Sequence, residues 1–200
     1  VLFTLVSQAA VGFFAILFLG RAFGVSAIVA SSAGIAYPLE IFFSIELVGF
    51  GLFMSTMHLG KPIRFYRGFN NIRHSPVARE GAGIAAFMAF SGLHMVLVLA
   101  QSSRLSSLVP LLENATLTLV FLAYVTGVLA LLGAACGLYY MYRCYRIKAR
   151  PFWDHKQTAF SFVGCSFYLG AILVGAVGSC SLVLAGESPV ALLSVCSPVI

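Results

Sequence analysis

The chain has 200 residues, of which 60% are apolar and only 9% are charged, and its mean hydropathy is +1.00. Soluble domains carry about 25% charged residues, so this composition leaves too little polar surface for a water-soluble globule. It excludes a soluble enzyme, a disordered segment and a nucleic-acid-binding protein, although the net charge is +6. The composition predicts an integral membrane protein, all-α and built as a polytopic bundle of transmembrane helices.

Five apolar runs are long enough to cross a membrane, which takes about 20 residues. The predicted spans are 1–20, 39–58, 81–101, 115–142 and 158–185. The segment 22–37 is apolar but rich in Gly, Ser and Ala, and we expect it to lie at the interface or to re-enter the membrane. The last fifteen residues begin another apolar run that breaks off. The sequence therefore predicts one membrane domain over residues 1–200, with five clear spans and a truncated sixth, in an incomplete chain.

Ten of the twelve basic residues lie in two polar segments, 58–80 and 143–157, which two spans separate. Both segments therefore face the same side of the membrane. They contain Lys61, Arg64, Arg67, Arg73, Arg79, Arg143, Arg146, Lys148, Arg150 and Lys156. The positive-inside rule places this side, with the N-terminus, in the cytoplasm. A basic face of this kind is equally suited to docking a partner or binding a ligand.

Few ionisable residues lie at membrane depth, where such groups are costly and are candidates for function. Glu40 and Glu46 lie in the second span and His94 lies in the third. Glu40 and His58 share one helix face, together with Ser44, Gly51 and Ser55. This stripe has two interpretations, a proton path or a face for close helix packing. We expect His94 to be a hydrogen-bonded core histidine.

Residues that hold redox groups or metals are sparse in the sequence. The five cysteines are spaced singly, without a CxxC pair, and we expect them to act as inert small apolar side chains. A bis-histidine haem needs two histidines at depth, and only His94 is placed there. We therefore expect no haem, iron–sulfur cluster or metal ion in this chain, and a zinc site has no ligand set.

The segment that follows the second span concentrates the reactive residues. His58 ends the span, Gly60 and Pro62 form a turn, Arg64 follows, and Glu80 opens the next helix. Histidine accepts a proton near neutral pH and a carboxylate relays one, while arginine supplies a fixed charge and hydrogen-bond donors. Together they suit a quinol head group, which releases protons as electrons leave. The alternative is a solvated basic loop in which Glu80 stabilises the helix N-terminus.

This segment, STMHLGKPIRFYRGFNNIRHSPVARE at 55–80, resembles the signature of the membrane anchor subunit of dimethyl sulfoxide reductase. The segment RPFWDHKQTAFSFVGCSFYLGA at 150–171 resembles a second boundary motif of the family, and FTLVSQAAVG in the first span is also similar. The resemblance covers most of the chain. One departure is Pro76, where the family usually has Trp, and another is that the family usually has about eight spans.

The resemblance implies an anchor in a three-subunit molybdoenzyme complex of anaerobic respiration in the bacterial cytoplasmic (inner) membrane. Such a subunit binds and oxidises menaquinol and passes electrons to a four-cluster ferredoxin-like iron–sulfur subunit, which supplies a molybdopterin catalytic subunit. His58 matches the histidine implicated in quinol binding, and Gly60, Arg64 and Glu80 fall on motif positions. In this hypothesis His58 accepts a proton, Arg64 orients the head group and Glu80 relays a proton.

Two alternatives to this hypothesis remain, one of another class and one closely related. A secondary transporter or proton-pathway protein would use Glu40, Glu46 and His94 inside the bundle, and an internal inverted repeat would favour it. A related polysulfide- or nitrite-reductase anchor would share the quinol site but serve another terminal acceptor. That acceptor belongs to a catalytic subunit outside this chain.

Overall fold

A computed structural model describes residues 2–25, 28, 35–57, 61–101, 115–146 and 153–184. Within these ranges the chain forms five α-helices, one 3₁₀ helix and no strand. The α-helices are α1 (Leu2–Ala22), α2 (Ala36–Met57), α3 (Pro76–Ala100), α4 (Thr116–Tyr145) and α5 (Lys156–Leu184), and the 3₁₀ helix covers Pro62–Asn71. All five α-helices are long and apolar enough to cross a membrane. The prediction of an all-α, multi-span membrane protein is confirmed.

Helix α1 is the central element of the bundle. More than half of its most apolar stretch is buried, compared with about a tenth in α5. Its most extensive contacts are with α5 and α2, and its Phe14 ring packs edge-on against Phe87 of α3, with 5.4 Å between the ring centroids. The first apolar run therefore supplies the core around which the other helices pack.

The most extensive helix pair is α3 with α4, and glycines make it possible. A Cβ atom on Gly83 would collide with the backbone of Gly137, and one on Gly133 would lie 2.7 Å from the backbone nitrogen of Phe87. In lipid, helices associate through van der Waals packing at small residues because lipid tails are as apolar as the side chains. The glycines therefore bring the two helix backbones into direct contact.

The predicted stripe of small residues on α2 is mainly a packing face. Ser44 Oγ donates a hydrogen bond to the carbonyl of Ala10 at 3.0 Å, and Gly51 faces the side chains of Phe3 and Val6 on α1. The packing interpretation is confirmed at these two positions, whereas Ser55 is exposed.

The third helix begins earlier than predicted, at Pro76 instead of Gly81. Ser75 caps it, since its hydroxyl accepts a hydrogen bond from the Ala78 amide at 3.3 Å, and Pro76 suits the first helical position because it lacks an N–H. The departure from the family pattern at Pro76 is therefore compatible with a regular helix start. Glu80 consequently lies one turn inside α3 instead of at its N-terminus.

Two predicted features fall wholly or mainly outside the described residues. These are the truncated sixth span and most of the segment 22–37. The polar segment after α2, which was predicted as a turn and loop, contains the 3₁₀ helix Pro62–Asn71 instead. Proline fixes φ in the helical range and fits the start of such a helix.

Candidate quinol-binding cavity

A cavity of 540 Å³ opens at the membrane boundary where α2 ends and α3 begins. It lies between the first turn of α1, the last turns of α2, the 3₁₀ helix and the first turns of α3. Most of its wall is apolar, formed by Phe3, Leu52, Phe65, Phe69 and Val77. Small-molecule sites typically measure about 300–1,000 Å³ and combine apolar walls with a few polar groups, and this cavity has both properties.

Three charged residues line the same cavity, namely Lys61, Arg64 and Glu80. Lys61 and Arg64 come from the start of the 3₁₀ helix, and Glu80 comes from α3. In the part of the chain that the structure describes, no ion pair joins any two of them. The two cations and the carboxylate therefore remain available to a ligand in the cavity.

Glu80 is a largely buried carboxylate, with 9% of its surface exposed. Its Oε2 atom accepts a hydrogen bond from the Cys144 thiol of α4 at 3.4 Å. A thiol is a weak donor, so this contact satisfies the carboxylate only slightly. Cys144 is therefore not the inert side chain expected from the sequence, and no sequence signal indicates this contact because it joins residues 64 positions apart.

Arg79, the neighbour of Glu80, has a positioning role. Its Nε atom donates to the carbonyl of Ile72 at 2.8 Å, one terminal nitrogen donates to the carbonyl of Arg73, and the other donates to the Tyr140 hydroxyl at 3.3 Å. Arg79 thereby fixes the turn after the 3₁₀ helix to α3 and α4, and so holds one wall of the cavity.

The structure brings two of the four predicted quinol-binding residues, Arg64 and Glu80, to one cavity. The other two, His58 and Gly60, lie outside the described residues. Thr56 and Lys61, which flank that stretch in the sequence, both line the cavity. The aromatic wall was not predicted, although the alternation of Phe and basic residues in the motif is a visible signal for it.

A second polar cluster lies at the opposite end of the bundle, and His94 is at its centre. His94 is 1% exposed, its Nδ1 atom donates to the carbonyl of Ala123 at 2.7 Å, and its Nε2 atom accepts from the Tyr37 hydroxyl at 3.3 Å. The Arg21 guanidinium packs over the Tyr37 ring and donates to Gln101. The prediction of a hydrogen-bonded core histidine is confirmed.

The two acidic residues of the predicted proton path do not share a face of α2. Glu40 is buried, and its Oε2 atom has no hydrogen-bond partner among the described residues, whereas Glu46 is exposed. Both ring nitrogens of His94 are occupied. This arrangement gives little support to a continuous path through Glu40, Glu46 and His94.

Across the described ranges, no group of three His, Cys, Asp or Glu side chains is placed to hold a metal ion. The fold and the cavity instead define a class: a multi-span membrane protein with a cavity at one membrane boundary, lined by aromatic rings, two cations and a buried carboxylate.

Comparison with known proteins identifies the family to which this membrane protein belongs. A family model described as "DMSO reductase anchor subunit (DmsC)" matches residues 1–199, and the chain belongs to this family. It is 28% identical to the anaerobic dimethyl sulfoxide reductase protein YnfH of Escherichia coli over 78% of its own length and 49% of the relative. It is 26% identical to an anaerobic dimethyl sulfoxide reductase subunit of Haemophilus influenzae over 72% of its own length and 44% of the relative.

The chain thus spans about half the length of these curated relatives. No solved structure matches it. The family match confirms the resemblance inferred from the motif at 55–80.

Proposed function

We propose that the cavity binds menaquinol and that this anchor oxidises it, passing the electrons to an iron–sulfur partner subunit. The observation that carries the proposal is the joint placement of Arg64 and Glu80, two motif residues, on the wall of one cavity at the membrane boundary. The apolar wall suits the fused rings of the quinol, and a position at the boundary leaves its long apolar tail in the lipid.

The chemistry requires two proton acceptors, because oxidation of a quinol to a quinone releases two electrons and two protons. Glu80 accepts a proton from one ring hydroxyl, and His58 accepts the second in the role that the family motif implies. The Arg64 guanidinium donates hydrogen bonds to a ring oxygen, orienting the head group and stabilising the negative charge that develops on that oxygen.

The electrons leave through a docked partner. The cavity opens beside an exposed basic surface that includes Arg64, Arg67 and Arg73. The 3₁₀ helix adds exposed apolar side chains, notably Ile63, which is 87% exposed. The basic side chains can attract an acidic surface on a partner protein, and the exposed apolar side chains can pack against it once it has docked. We assign this face to a four-cluster iron–sulfur subunit, which supplies a molybdopterin subunit during anaerobic respiration in the bacterial inner membrane.

The proposal is tested by binding of the fluorescent quinol-site inhibitor 2-heptyl-4-hydroxyquinoline N-oxide to membranes that hold the native complex. The parent should bind it saturably with quenching of its fluorescence. Arg64→Gln and His58→Ala should each weaken binding at least about tenfold, since each removes a polar contact to the head group.

Matched controls use residues of the same segment that do not line the cavity. Arg67→Gln and His74→Ala should leave the affinity within about threefold of the parent, with subunit assembly verified for every variant. Equal weakening by the control variants would show that the general charge of the segment, and not the cavity, determines binding. Absence of binding in the parent would contradict the proposal.

A further inference from the structure

A second cavity, on the other side of α1, has no role in quinol binding. It measures 420 Å³ and is a groove between α4 and α5, with α1 as its floor. Helices α4 and α5 contact each other only slightly, whereas each packs on another helix. Because α5 packs against α1 and hardly touches α4, a gap remains between α4 and α5, and this gap is the groove.

The wall of the groove is almost entirely apolar. On α4 it is formed by residues such as Leu138, Tyr139 and Tyr142, and on α5 by Phe162 and Val163. Ser166 also lines it, but its hydroxyl donates to the carbonyl of Phe162 within α5 at 2.9 Å and offers nothing to a ligand. The groove itself thus suits a hydrocarbon chain.

The length of the groove suits part of an acyl chain. Its lining covers residues 131–142 of α4 and 159–167 of α5, or about 12–16 Å at a rise of about 1.5 Å per residue. The groove can therefore hold the part of an acyl chain nearest the head group.

Basic residues stand at the end of the groove that reaches the membrane boundary. Arg146 directly follows the last residue of α4, about one turn beyond Tyr142, and its guanidinium carbon is 5.9 Å from the centre of the Tyr142 ring. Lys156 begins α5, three residues before Ala159 of the groove lining. Arg143 is exposed at the same boundary. On both helices the apolar groove therefore leads directly to basic residues at the membrane boundary.

Asp154 is the acidic group that faces this cluster, and it engages only part of the Arg146 side chain. The ion pair joins Asp154 Oδ1 to Arg146 Nε. Among the described residues, neither terminal nitrogen of Arg146 has a hydrogen-bond partner. The segment 143–157 has five basic residues for this one acidic residue, so its net charge favours an anion.

From these observations we propose that the groove is a binding site for an anionic diacyl phospholipid. One acyl chain lies between α4 and α5, and the phosphate group contacts Arg143, Arg146 and Lys156. Basic pockets between transmembrane helices bind anionic head groups in this manner. The site is separate from the quinol cavity, because no residue lines both and its charged residues are different ones; the two share only helix α1.

The sole tryptophan of the sequence, Trp153, provides a built-in probe for this site. Its ring lies 5.7 Å from that of Tyr145, which lies 5.2 Å from Phe162 in the groove wall. The test reconstitutes the full chain in phosphatidylcholine vesicles that contain a small fraction of a brominated lipid. The brominated lipid is either phosphatidylglycerol or phosphatidylcholine, and in both the bromine is on the part of the acyl chain nearest the head group. Bromine near Trp153 quenches its fluorescence.

We expect brominated phosphatidylglycerol to quench at a concentration at least about tenfold below that of brominated phosphatidylcholine. Each arginine should contribute about fivefold to this preference, so the double variant Arg143→Gln/Arg146→Gln should lose most of it and retain at most the contribution of Lys156. Asp154→Asn should keep or strengthen the preference, and it provides a second test if the double variant misfolds. Ala135→Leu, which fills the groove, should reduce quenching by both lipids.

The matched control, Arg67→Gln/Arg73→Gln, removes the same charge from the same side but away from the groove, and it should retain the preference. Equal quenching by the two lipids in the parent would overturn the proposal. Equal loss of the preference in the control and in Arg143→Gln/Arg146→Gln would also overturn it, because it would reflect only general surface attraction.

Discussion

Replacing Glu80 with glutamine separates proton acceptance from the shape of the cavity. The amide has almost the same volume as the carboxylate, and its oxygen can still accept the hydrogen bond from the Cys144 thiol. Because that bond is 3.4 Å long and its donor is weak, the free energy of unfolding should change by less than about 1 kcal/mol. Stability and assembly are therefore expected to survive the substitution.

The expected effect is on turnover. A positioned general base contributes about 10²- to 10⁴-fold to a rate, and Glu80 shares proton acceptance with His58 in the proposed mechanism. Glu80→Gln should therefore lower the rate of menaquinol-dependent reduction about 100-fold. Affinity for the inhibitor should remain within about threefold of the parent, because Arg64 and the aromatic wall are unchanged.

The assay compares the initial rate of oxidation of a reduced menaquinone analogue with inhibitor binding in the same membranes. Cys144→Ala is the control, since it removes the one hydrogen bond shown for the Glu80 carboxylate but keeps the acid, and its rate should remain within about threefold of the parent. A Glu80→Gln variant with parental turnover and parental binding would refute the assignment of Glu80 as a proton acceptor.

Three other predictions test the packing and the cavity wall. Gly83→Val should destabilise the α3–α4 pair by about 3 kcal/mol or more, because its side chain meets backbone; Gly175→Val, where no atom lies within 4 Å, should leave the melting temperature in detergent nearly unchanged. Tyr37→Phe should cost about 1 kcal/mol through loss of its bond to His94, without altering inhibitor affinity at the far end of the bundle. Arg79→Gln should weaken inhibitor binding several-fold while the complex still assembles, since it releases the turn beside the cavity; parental affinity in this variant would contradict its positioning role.

The number and type of helices could be predicted because lipid imposes one simple rule, a sufficiently long apolar run. The sequence could not predict which helices pack against each other. A helix such as α1 is apolar on every face, so its sequence does not show which face points to the core. Gly133 and Gly137, four residues apart on α4, lie on the face that touches α3, but this spacing was not used to predict the packing. The start of α3 was placed five residues late because the cap at Ser75 lies in a polar segment.

The candidate site was predictable only where its residues lie in one segment of the sequence. Arg64 and Glu80 were identified from one segment, and the structure places both in one cavity. The Cys144 contact and the link from Arg79 to Tyr140 depend on how α4 packs against α3, and they join residues 64 and 61 positions apart. Sequence spacing within one segment carries no information on such contacts.

The central claim is that a quinol binds in the cavity between the 3₁₀ helix and the start of α3. Photoaffinity labelling of the native complex with a photoreactive menaquinone, followed by peptide mapping, tests it most directly. We predict that the label falls on the cavity wall, at Phe65, Phe69 or Val77, and that excess inhibitor prevents labelling. Labelling confined to the groove between α4 and α5, or labelling that the inhibitor does not affect, would contradict the claim.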